Sequence, residues 1–445
     1  MNRWLGNIVR AAGRRRDRNQ PVIVALLVGS GLADLAKRSG RTHSQGKKSE
    51  DESKGDKGDS MNVDRRHVIF VGSLAVAAAI FAALFMSACG GSSAGSSTPS
   101  TGGTSATTGS AACPPSGAAT SLTGAGASFP YPLYSKWTSQ FDKQCGVQIN
   151  YQSVGSGAGI SQITQKTVDF GASDGIMTDD QVAAAEAAGG PILHIPMTSG
   201  AVAVIVNLPG IDQGQLKLTP DVLANIYLKN IKKWDDPAIT QLNPGLSLPS
   251  SDIAVVHRSD GSGTTFIFTN YLSKVSSEWK DKVGNATTVQ WPGDIGGEKN
   301  DGVAQQVKQI PGAIGYVELA YAIQNNLTWA SMQNKSGNYV EPTLDSTTAA
   351  STGVTIPDDT KVMITDSSNP QAYPIVGFTW ILAYVNQADK AKGESLVYYL
   401  WWSIHDGQQY SKDLLYAPLS TDVVEKAEAE IKSIGHQGQP LLQLP

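Results

Sequence analysis

Short apolar runs alternate with helix-like stretches over most of the chain beyond about Leu122. Runs rich in β-branched residues and bounded by Gly, Pro or Ser are typical of strands, and longer amphipathic stretches are typical of helices. The pattern predicts strands at 147–155, 168–173, 201–210, 253–258, 312–319 and 376–385. It predicts helices at 156–165, 178–190, 218–230, 264–274, 388–410 and 421–434. This alternation favours an α/β fold with mostly parallel sheets, whereas the Asn/Ser/Thr-rich segment 334–372 is weakly patterned and predicts loops.

The N-terminal part has a different pattern. An apolar run from Val68 to Phe85 follows Asp-Arg-Arg-His and leads to Met-Ser-Ala and then Cys89. A charged start, an apolar middle and small residues before a cysteine are typical of a lipoprotein signal, predicted at 61–88, with Cys89 as the lipidated N-terminus of the mature protein. A single transmembrane helix with an incidental cysteine is the alternative. The Gly/Ser/Thr-rich stretch 89–119 favours the lipoprotein, because it is suited to a flexible tether.

Residues 1–60 are polar and charged and lie in front of that signal. Because an export signal normally begins a chain, we expect that translation starts at Met61 and that residues 1–60 belong to a mis-assigned start. A long cytoplasmic leader is the alternative.

Charge is distributed unevenly along the 445 residues. The net charge is −4, residues 1–60 carry 13 Lys and Arg against 7 Asp and Glu, and residues 61–88 add +1, so that −11 remains for residues 89–445. Affinity for nucleic acid depends on clustered Lys and Arg. A mature chain this acidic argues against a nucleic-acid partner.

Cysteine and histidine spacing argues against a metal centre or a bound cofactor. With Cys89 lipidated, Cys113 and Cys145 remain as a candidate disulfide pair outside the cytoplasm. The cysteines lack C-x-x-C spacing, the histidines lie far apart, and no Walker A motif occurs.

The stretch HRSDGSGTTF joins a predicted strand to a predicted helix. In α/β sheets this is where ligands bind, because the first N–H groups of a helix lack internal partners and lie at the positive end of its dipole. Ser262 and Thr264 add hydroxyl donors, and Arg258 adds a guanidinium suited to an oxyanion. An ordinary turn with a capping serine is the alternative for this motif taken alone.

Two more Gly-rich turns have the same design. Ser128 and Phe129 lie in GAGASFPYPLY, and Ser156 follows a predicted strand in QSVGSGAGISQ. Three turns that favour anions in one chain make a shared anion site the better interpretation.

A competing interpretation is enzymatic. GASDG at 171–175 fits the G-x-S-x-G nucleophile elbow and would make Ser173 the nucleophile of a hydrolase. No histidine further along the chain comes with a recognisable acid partner, so a secreted phosphatase or esterase using Ser173 or Ser262 is the weaker hypothesis.

Seven blocks in order carry a family resemblance: LTGAGASFPYPLYSKW, INYQSVGSGAGI, VDFGASD, IYLKNIKKWDDPAITQLNPGL, IAVVHRSDGSGTTFIFTNYLSKV, NDGVAQQV and PGAIGYVELAYA. Together they resemble the periplasmic phosphate-binding proteins of bacterial phosphate ABC importers (PstS type), from about Leu122 to the C-terminus. The resemblance implies a two-lobed, class II periplasmic-binding-protein fold with a hinge. Lobe 1 would combine 120–197 with 373–445, and lobe 2 would hold 198–372.

The resemblance also implies the ligand and its contacts. Inorganic phosphate would bind between the lobes, and a membrane-anchored, extracytoplasmic, monomeric receptor without enzymatic activity would deliver it to an ABC permease. Matching motifs imply phosphate contacts from Ser128, Phe129, Ser156, Asp174, Arg258, Asp260, Ser262, Gly263 and Thr264. Ser128 stands where the family commonly has threonine, and it keeps the hydroxyl.

The two carboxylates indicate how such a site would choose its anion. Asp174 could accept a hydrogen bond from a protonated anion, and Asp260, two residues from Arg258, could orient the guanidinium. Sulfate lacks a proton, and an unpaired buried acceptor costs several kcal/mol. Arsenate, which also carries a proton, remains an alternative ligand, whereas sulfate and molybdate are disfavoured.

Overall fold

A computed structural model describes residues 113–293 and 295–444, which fall within one compact unit, residues 101–445. Its strands are β1 (Ser121–Gly126), β2 (Gln148–Ser153), β3 (Phe170–Ser173), β4 (Ile192–Val206), β5 (Lys217–Leu218), β6 (Ala254–Arg258), β7 (Ile295–Gly297), β8 (Ala313–Glu318), β9 (Thr328–Trp329), β10 (Ser331–Gln333), β11 (Tyr339–Val340), β12 (Val376–Tyr384), β13 (Gly435–His436) and β14 (Gln439–Pro440). Its α-helices are α1 (Tyr131–Cys145), α2 (Ser156–Thr164), α3 (Asp179–Gly189), α4 (Pro220–Tyr227), α5 (Pro237–Thr240), α6 (Gly263–Val275), α7 (Ser277–Lys282), α8 (Lys299–Gln309), α9 (Leu319–Gln324), α10 (Leu344–Ser351), α11 (Lys390–Ile404) and α12 (Thr421–Ser433). Helix and strand alternate along the chain, as an α/β fold requires.

The main sheet has nine strands in the order β2-β1-β3-β12-β4-β8-β6-β7, with β9 also pairing with β4. The long strand β4 connects two groups of strands. Its residues 192–201 pair with β12, and its residues 202–206 pair with β8. The group around β1 and the group around β6 are therefore joined through β4.

The expectation of mostly parallel sheets is wrong. β1 pairs in parallel with β2 and β3, and β6 pairs in parallel with β7 and β8. The pairs of β12 with β3 and β4, and of β4 with β8 and β9, are antiparallel. The reason is topological: β4 carries the chain from one strand group to the other and β12 carries it back, so the two must run in opposite directions.

The strand predicted at 201–210 is β4 in the structure, which begins at Ile192 and ends at Val206. It therefore starts nine residues earlier than predicted and ends four residues earlier. Its first half contains Pro196, and the register with β12 shifts between Thr379 and Trp380, which pair with Thr198 and Pro196. One residue of β4 is therefore extra at this point, a β-bulge beside the proline, which has no N–H to donate. Pro196 and polar residues interrupt the apolar pattern in this half of β4, so the sequence pattern did not predict it as a strand.

Several helix boundaries follow from capping residues. Thr178 caps α3 in a capping box with Gln181, and Ser262 caps α6 by accepting the N–H of Thr265. The predicted helix 388–410 is shorter, since α11 ends at Ile404 and a 3-10 helix, Asp406–Tyr410, follows. The segment 334–372 holds only β11 and α10 between loops.

A disulfide joins Cys113 to Cys145 at the end of α1, with their Cα atoms 5.3 Å apart. It ties Cys113, which precedes β1, to a helix whose side chains Trp137 and Phe141 are fully buried. No helix among the described residues is long and apolar enough to span a bilayer. Cys89 and the predicted signal 61–88 lie outside the described residues.

Candidate functional site

Three of the polar turns meet at the hydroxyl of Ser156, the first residue of α2. Its oxygen accepts the backbone N–H of Asp174, which follows β3, at 3.3 Å and that of Gly263, which opens α6, at 3.0 Å. Segments 107 residues apart in sequence therefore converge on one side chain. All three residues are buried.

Asn300, the second residue of α8, joins a further turn to the same site. Its Nδ2 donates to Ser128 Oγ at 2.9 Å and to Thr264 Oγ1 at 3.2 Å, and its Oδ1 accepts the N–H of Glu318 at 2.9 Å. A side-chain amide has two N–H donors and two oxygen lone pairs, and Asn300 thus uses three of these four positions inside the protein. Asn300 is completely buried and fixes the loop between β1 and α1 against α6.

Arg258, the last residue of β6, has its side chain almost completely buried. Its Nε donates to Asp260 Oδ1 at 2.7 Å, its Nη2 donates to Asp260 Oδ2 at 2.5 Å, and its Nη1 donates to Thr264 Oγ1 at 3.3 Å. Partial burial alone would raise the pKa of Asp260, but the bonds and charge of Arg258 and the N–H of Lys299 hold that pKa below its usual value. Asp260 stays ionised and balances the buried guanidinium, whose remaining N–H groups can face a ligand.

Asp174 is the second carboxyl of the site, and its two oxygens have different surroundings. Oδ1 accepts a hydrogen bond from Thr379 Oγ1 at 2.8 Å, whereas Oδ2 is buried and has no partner among the described residues. Burial raises the pKa of Asp174 to about 7, and Thr379, Arg258 and Ser156 oppose that rise. A buried, unpaired carboxyl oxygen is unusual and indicates a position where a ligand donates a hydrogen bond.

Hydrogen bonds from N–H groups orient the hydroxyl groups of the site. The oxygens of Ser128 and Thr264 each accept two hydrogen bonds from N–H groups, as Ser156 does. A hydroxyl has two lone pairs and one proton, so the protons of Ser128 and Thr264 are left for donation to a bound group, whereas the Ser156 hydroxyl also faces the Asp174 carboxyl and lowers its pKa. Ser262 Oγ accepts the N–H of Thr265 and likewise keeps its proton.

The Ser128–Phe129 segment is held by its carbonyl groups. The Ser128 carbonyl accepts a hydrogen bond from the Tyr321 hydroxyl at 2.6 Å, and the hydroxyl of Tyr416 lies 2.7 Å from the Phe129 carbonyl. Ser128 and Phe129 are both buried. Holding the carbonyl groups on one side leaves the N–H groups of this turn directed away from them.

The nine predicted contact residues thus lie in one connected network. Sequence reasoning missed Asn300, Thr379, Tyr321 and Tyr416. Asn300 lies in the block NDGVAQQV, which carried part of the family resemblance, but no residue of that block was singled out. Thr379 lies within an apolar strand, where nothing in the pattern distinguishes it from a core threonine.

The nucleophile-elbow hypothesis for Ser173 does not fit the structure. Ser173 Oγ donates to the Gly175 carbonyl at 2.6 Å and accepts the Gly175 N–H at 3.0 Å, and the residue is fully buried. A nucleophile needs an adjacent base and access to its substrate. Ser173 instead holds the turn that carries Asp174.

The described residues contain no group of three or more His, Cys, Asp or Glu side chains that could hold a metal ion. The charged groups of the site are the buried Arg258 and its partly buried partner Asp260, with the buried Asp174 beside them. Hydroxyl and amide donors around one guanidinium and one proton-accepting carboxyl are chemically suited to a protonated oxyanion.

Comparison with known proteins identifies the family. A family model described as a PBP superfamily domain matches residues 100–400. A protein named phosphate-binding protein PstS from Pasteurella multocida (strain Pm70) is 46% identical over 318 residues, covering 71% of this chain and 91% of its own. The protein of the same name from Xylella fastidiosa (strain 9a5c) is 44% identical over 326 residues, covering 72% and 88%. This chain belongs to the PstS family.

Comparison with solved structures bears on the fold. The crystal structure of a phosphate-binding protein from Stenotrophomonas maltophilia superimposes with a TM-score of 0.55 at 19% identity, covering 70% of this chain and 94% of that one. The predicted periplasmic-binding-protein fold is confirmed. The PstS relatives are named as binding proteins, so this chain belongs to a family of binding proteins and not to one of enzymes.

Proposed function

We propose that this chain binds one inorganic phosphate ion among Ser128, Ser156, Asp174, Arg258 and Thr264. The observation that carries the proposal is the count of donors and acceptors. The hydroxyl groups of Ser128 and Thr264 have used both lone pairs and keep a proton to donate. Asp174 Oδ2 is a buried acceptor without a partner among the described residues. Phosphate at neutral pH offers both oxygens that accept hydrogen bonds and a proton that it can donate.

Asp174 supplies the selectivity in this proposal. Phosphate can donate its proton to Oδ2, whereas sulfate would place lone pairs against the carboxyl in a buried site. An unpaired buried charge or acceptor costs several kcal/mol, which corresponds to discrimination of roughly 10³ or more. Arsenate also carries a proton, so the same residues would accept it, and a competition titration of arsenate against phosphate separates the two ligands.

Two predicted lobes would close over the anion. The predicted lobe 1 (120–197 plus 373–445) and lobe 2 (198–372) meet where the Gly157 N–H donates to the Gly261 carbonyl at 2.9 Å. A Cβ at Gly261 would lie 3.0 Å from the Gly157 Cα, so the two glycines allow a close approach of the backbones. β4 runs across the predicted boundary at 197/198, and β12 begins just after the one at 372/373, so these two strands would form the hinge.

The proposal extends to transport. The receptor would be tethered outside the cytoplasm by a lipid on Cys89, which lies outside the described residues, and would deliver phosphate as a monomer to an ABC permease. Its acidic mature surface is compatible with anion binding, because local N–H and hydroxyl donors rather than net charge stabilise the ion. Metabolic labelling with palmitate of the wild type and of Cys89→Ala tests the anchor, and an unlabelled wild type would contradict it.

Equilibrium dialysis with radiolabelled phosphate, together with an assay on a chromogenic phosphate ester, tests the proposal against the alternative of a serine phosphatase. We expect one phosphate bound per chain and no turnover. Hydrolysis that disappears in Ser173→Ala or Ser262→Ala would contradict a receptor, and absence of stoichiometric binding would contradict phosphate as the ligand.

A further inference from the structure

Behind the phosphate site, a buried carboxyl contacts the tyrosine that holds Phe129. Glu318 ends β8 and caps α9, where its Oε2 accepts the Ala320 N–H at 3.0 Å. The hydroxyl oxygen of Tyr416 lies 2.9 Å from this Oε2 and 2.7 Å from the Phe129 carbonyl oxygen. Glu318 and Tyr416 are both fully buried.

The two contacts of Tyr416 compete for one proton. A carbonyl oxygen only accepts hydrogen bonds, and a tyrosine hydroxyl has a single proton. If Tyr416 donates to Phe129, an ionised Glu318 would turn lone pairs toward the Tyr416 oxygen. If Tyr416 donates to Glu318, the same conflict arises at Phe129. Both contacts are satisfied together only when Glu318 carries a proton.

We propose that Glu318 is protonated in the phosphate-binding form and donates to Tyr416, which donates in turn to the Phe129 carbonyl. Glu318 is then a positioning residue: it fixes the Phe129 peptide, whose neighbour Ser128 supplies one of the free hydroxyl protons of the site. This inference rests on the proposed function, because the relay is built around the phosphate site.

The surroundings of Glu318 favour the protonated form. Its Oε1 is buried and has no partner among the described residues, so an ionised carboxylate would leave a charged oxygen unpaired. Asp174, across the site, is the nearby acidic group, and the hydroxyls of Tyr321 and Tyr416 are the other titratable groups that face it. Burial raises the pKa of Glu318 well above its usual value, and the charge of Asp174 raises it further.

The relay also joins parts of the chain that the predicted lobes separate. Phe129 and Tyr416 belong to the predicted lobe 1, whereas Glu318 belongs to the predicted lobe 2. Ionisation of Glu318 would leave Tyr416 with one satisfied contact instead of two, and the contact between the lobes would weaken. Because the competent form carries the proton, phosphate affinity is retained below the pKa of Glu318 and is lost as the pH rises through it.

The test is the phosphate dissociation constant of the full-length protein from about pH 6 to about pH 10. Glu318→Gln replaces the acid by an amide whose nitrogen donates to Tyr416 at every pH but does not accept the Ala320 N–H, as Oε2 does. We expect this variant to bind phosphate within about threefold of the wild type at neutral pH. Between neutral and alkaline pH, the dissociation constant of the wild type should rise roughly tenfold more than that of the variant. A profile of Glu318→Gln parallel to that of the wild type overturns the proposal.

Two further variants separate the relay from simple packing. Glu318→Ala and Tyr416→Phe should each weaken binding at least about tenfold at neutral pH, and their double variant should be little weaker than either alone, since both break one chain of bonds. Additive losses overturn the relay. A wild type that binds no phosphate at neutral pH contradicts the proposed function itself, whereas tight binding with parallel profiles contradicts only the role of Glu318.

A spectroscopic measurement gives an answer that does not depend on affinity. The infrared difference spectrum of wild type minus Glu318→Gln at neutral pH should contain the carbonyl stretch of a protonated carboxylic acid. A difference spectrum that shows only carboxylate bands overturns the proposal.

Discussion

The hydroxyl of Thr379 donates to Oδ1 of Asp174 at 2.8 Å, while the other oxygen of that carboxyl is buried and finds no partner in the part of the chain that the structure describes. Thr379 lies in β12 opposite the β-bulge of β4, 205 residues from Asp174 in sequence. This hydrogen bond fixes the orientation of the carboxyl group and therefore the position of Oδ2. The selectivity of the proposed site depends on this arrangement.

Replacing Asp174 by Asn should weaken the preference for phosphate over sulfate. An amide can turn its N–H toward an unprotonated oxyanion, so the penalty against sulfate disappears. We expect the ratio of the sulfate to the phosphate dissociation constant to fall tenfold or more, in line with about 1.5–3 kcal/mol for a hydrogen bond to a charged group. Competition titration measures the ratio, and Asp413→Asn, at an exposed position, is the control. An unchanged ratio would remove Asp174 from the selectivity mechanism.

The same substitution should change how the stability of the empty protein depends on pH. Burial raises the pKa of Asp174 from 3.8 to about 7, so between these values the folded state holds a proton that the unfolded state has lost. This group therefore destabilises the protein progressively as the pH rises from about 4 to about 7. Asp174→Asn should raise the melting temperature relative to the wild type at about pH 8 and not at about pH 4. An equal effect at both pH values would show that the carboxyl is not held in its protonated form.

Gly263 should tolerate no side chain in the binding form. An added Cβ would lie 2.4 Å from Asp174 Oδ2 and 2.5 Å from Ser156 Oγ, and no Cβ atom fits at such distances. We expect Gly263→Ala to weaken phosphate binding tenfold or more, measured by calorimetry. Gly293→Ala is a matched control, because its nearest atoms would lie 3.5 Å or more away. Comparable losses in both variants would contradict a specific clash in the site.

Replacing Asn300 by Asp should weaken phosphate binding more than replacing it by Ala. Asp presents acceptors where Asn300 donates to Ser128 and Thr264, so those hydroxyls would turn their protons toward the new carboxylate and away from the ligand. We expect Asn300→Asp to lose at least about a hundredfold in phosphate affinity and Asn300→Ala clearly less, because two donors and the charge balance are altered together. Asn338→Asp, at an exposed amide, should bind as the wild type does. The reverse order of Asp and Ala would contradict the assigned direction of these bonds.

The disulfide should contribute to stability and not to binding. It closes a loop of 32 residues between Cys113 and Cys145, for which chain entropy predicts roughly 3–4 kcal/mol of stabilisation. The double variant Cys113→Ser, Cys145→Ser should lose about that free energy of unfolding in denaturant titrations and keep its phosphate dissociation constant. A large loss of affinity would show that the disulfide also shapes the site.

The sequence identified the parts of the site that follow strands. Ser156, Asp174 and the residues around Ser262 lie in turns between a strand and a helix, and such turns have a recognisable pattern of small and polar residues. Binding at these turns follows from helix dipoles and unpaired N–H groups, which are local properties. Local chemistry and the family resemblance therefore sufficed to predict turns that the structure brings together.

What the sequence did not predict depends on contacts between distant segments. Asn300 and Ser128 are 172 residues apart, and neither helix periodicity nor composition relates them. The first half of β4 was missed because Pro196 and polar residues interrupt its apolar pattern. The antiparallel direction of β12 is likewise a property of the path of the chain between two strand groups, which periodicity does not contain.

Isothermal titration calorimetry of the protein, freed of phosphate, against phosphate and against sulfate tests the central claim most directly. We expect one phosphate bound per chain and a dissociation constant for sulfate roughly 10³-fold higher or more, because only phosphate carries a proton for Asp174. Equal affinity for the two anions, or no binding of phosphate, would contradict the claim that this site recognises a protonated tetrahedral anion.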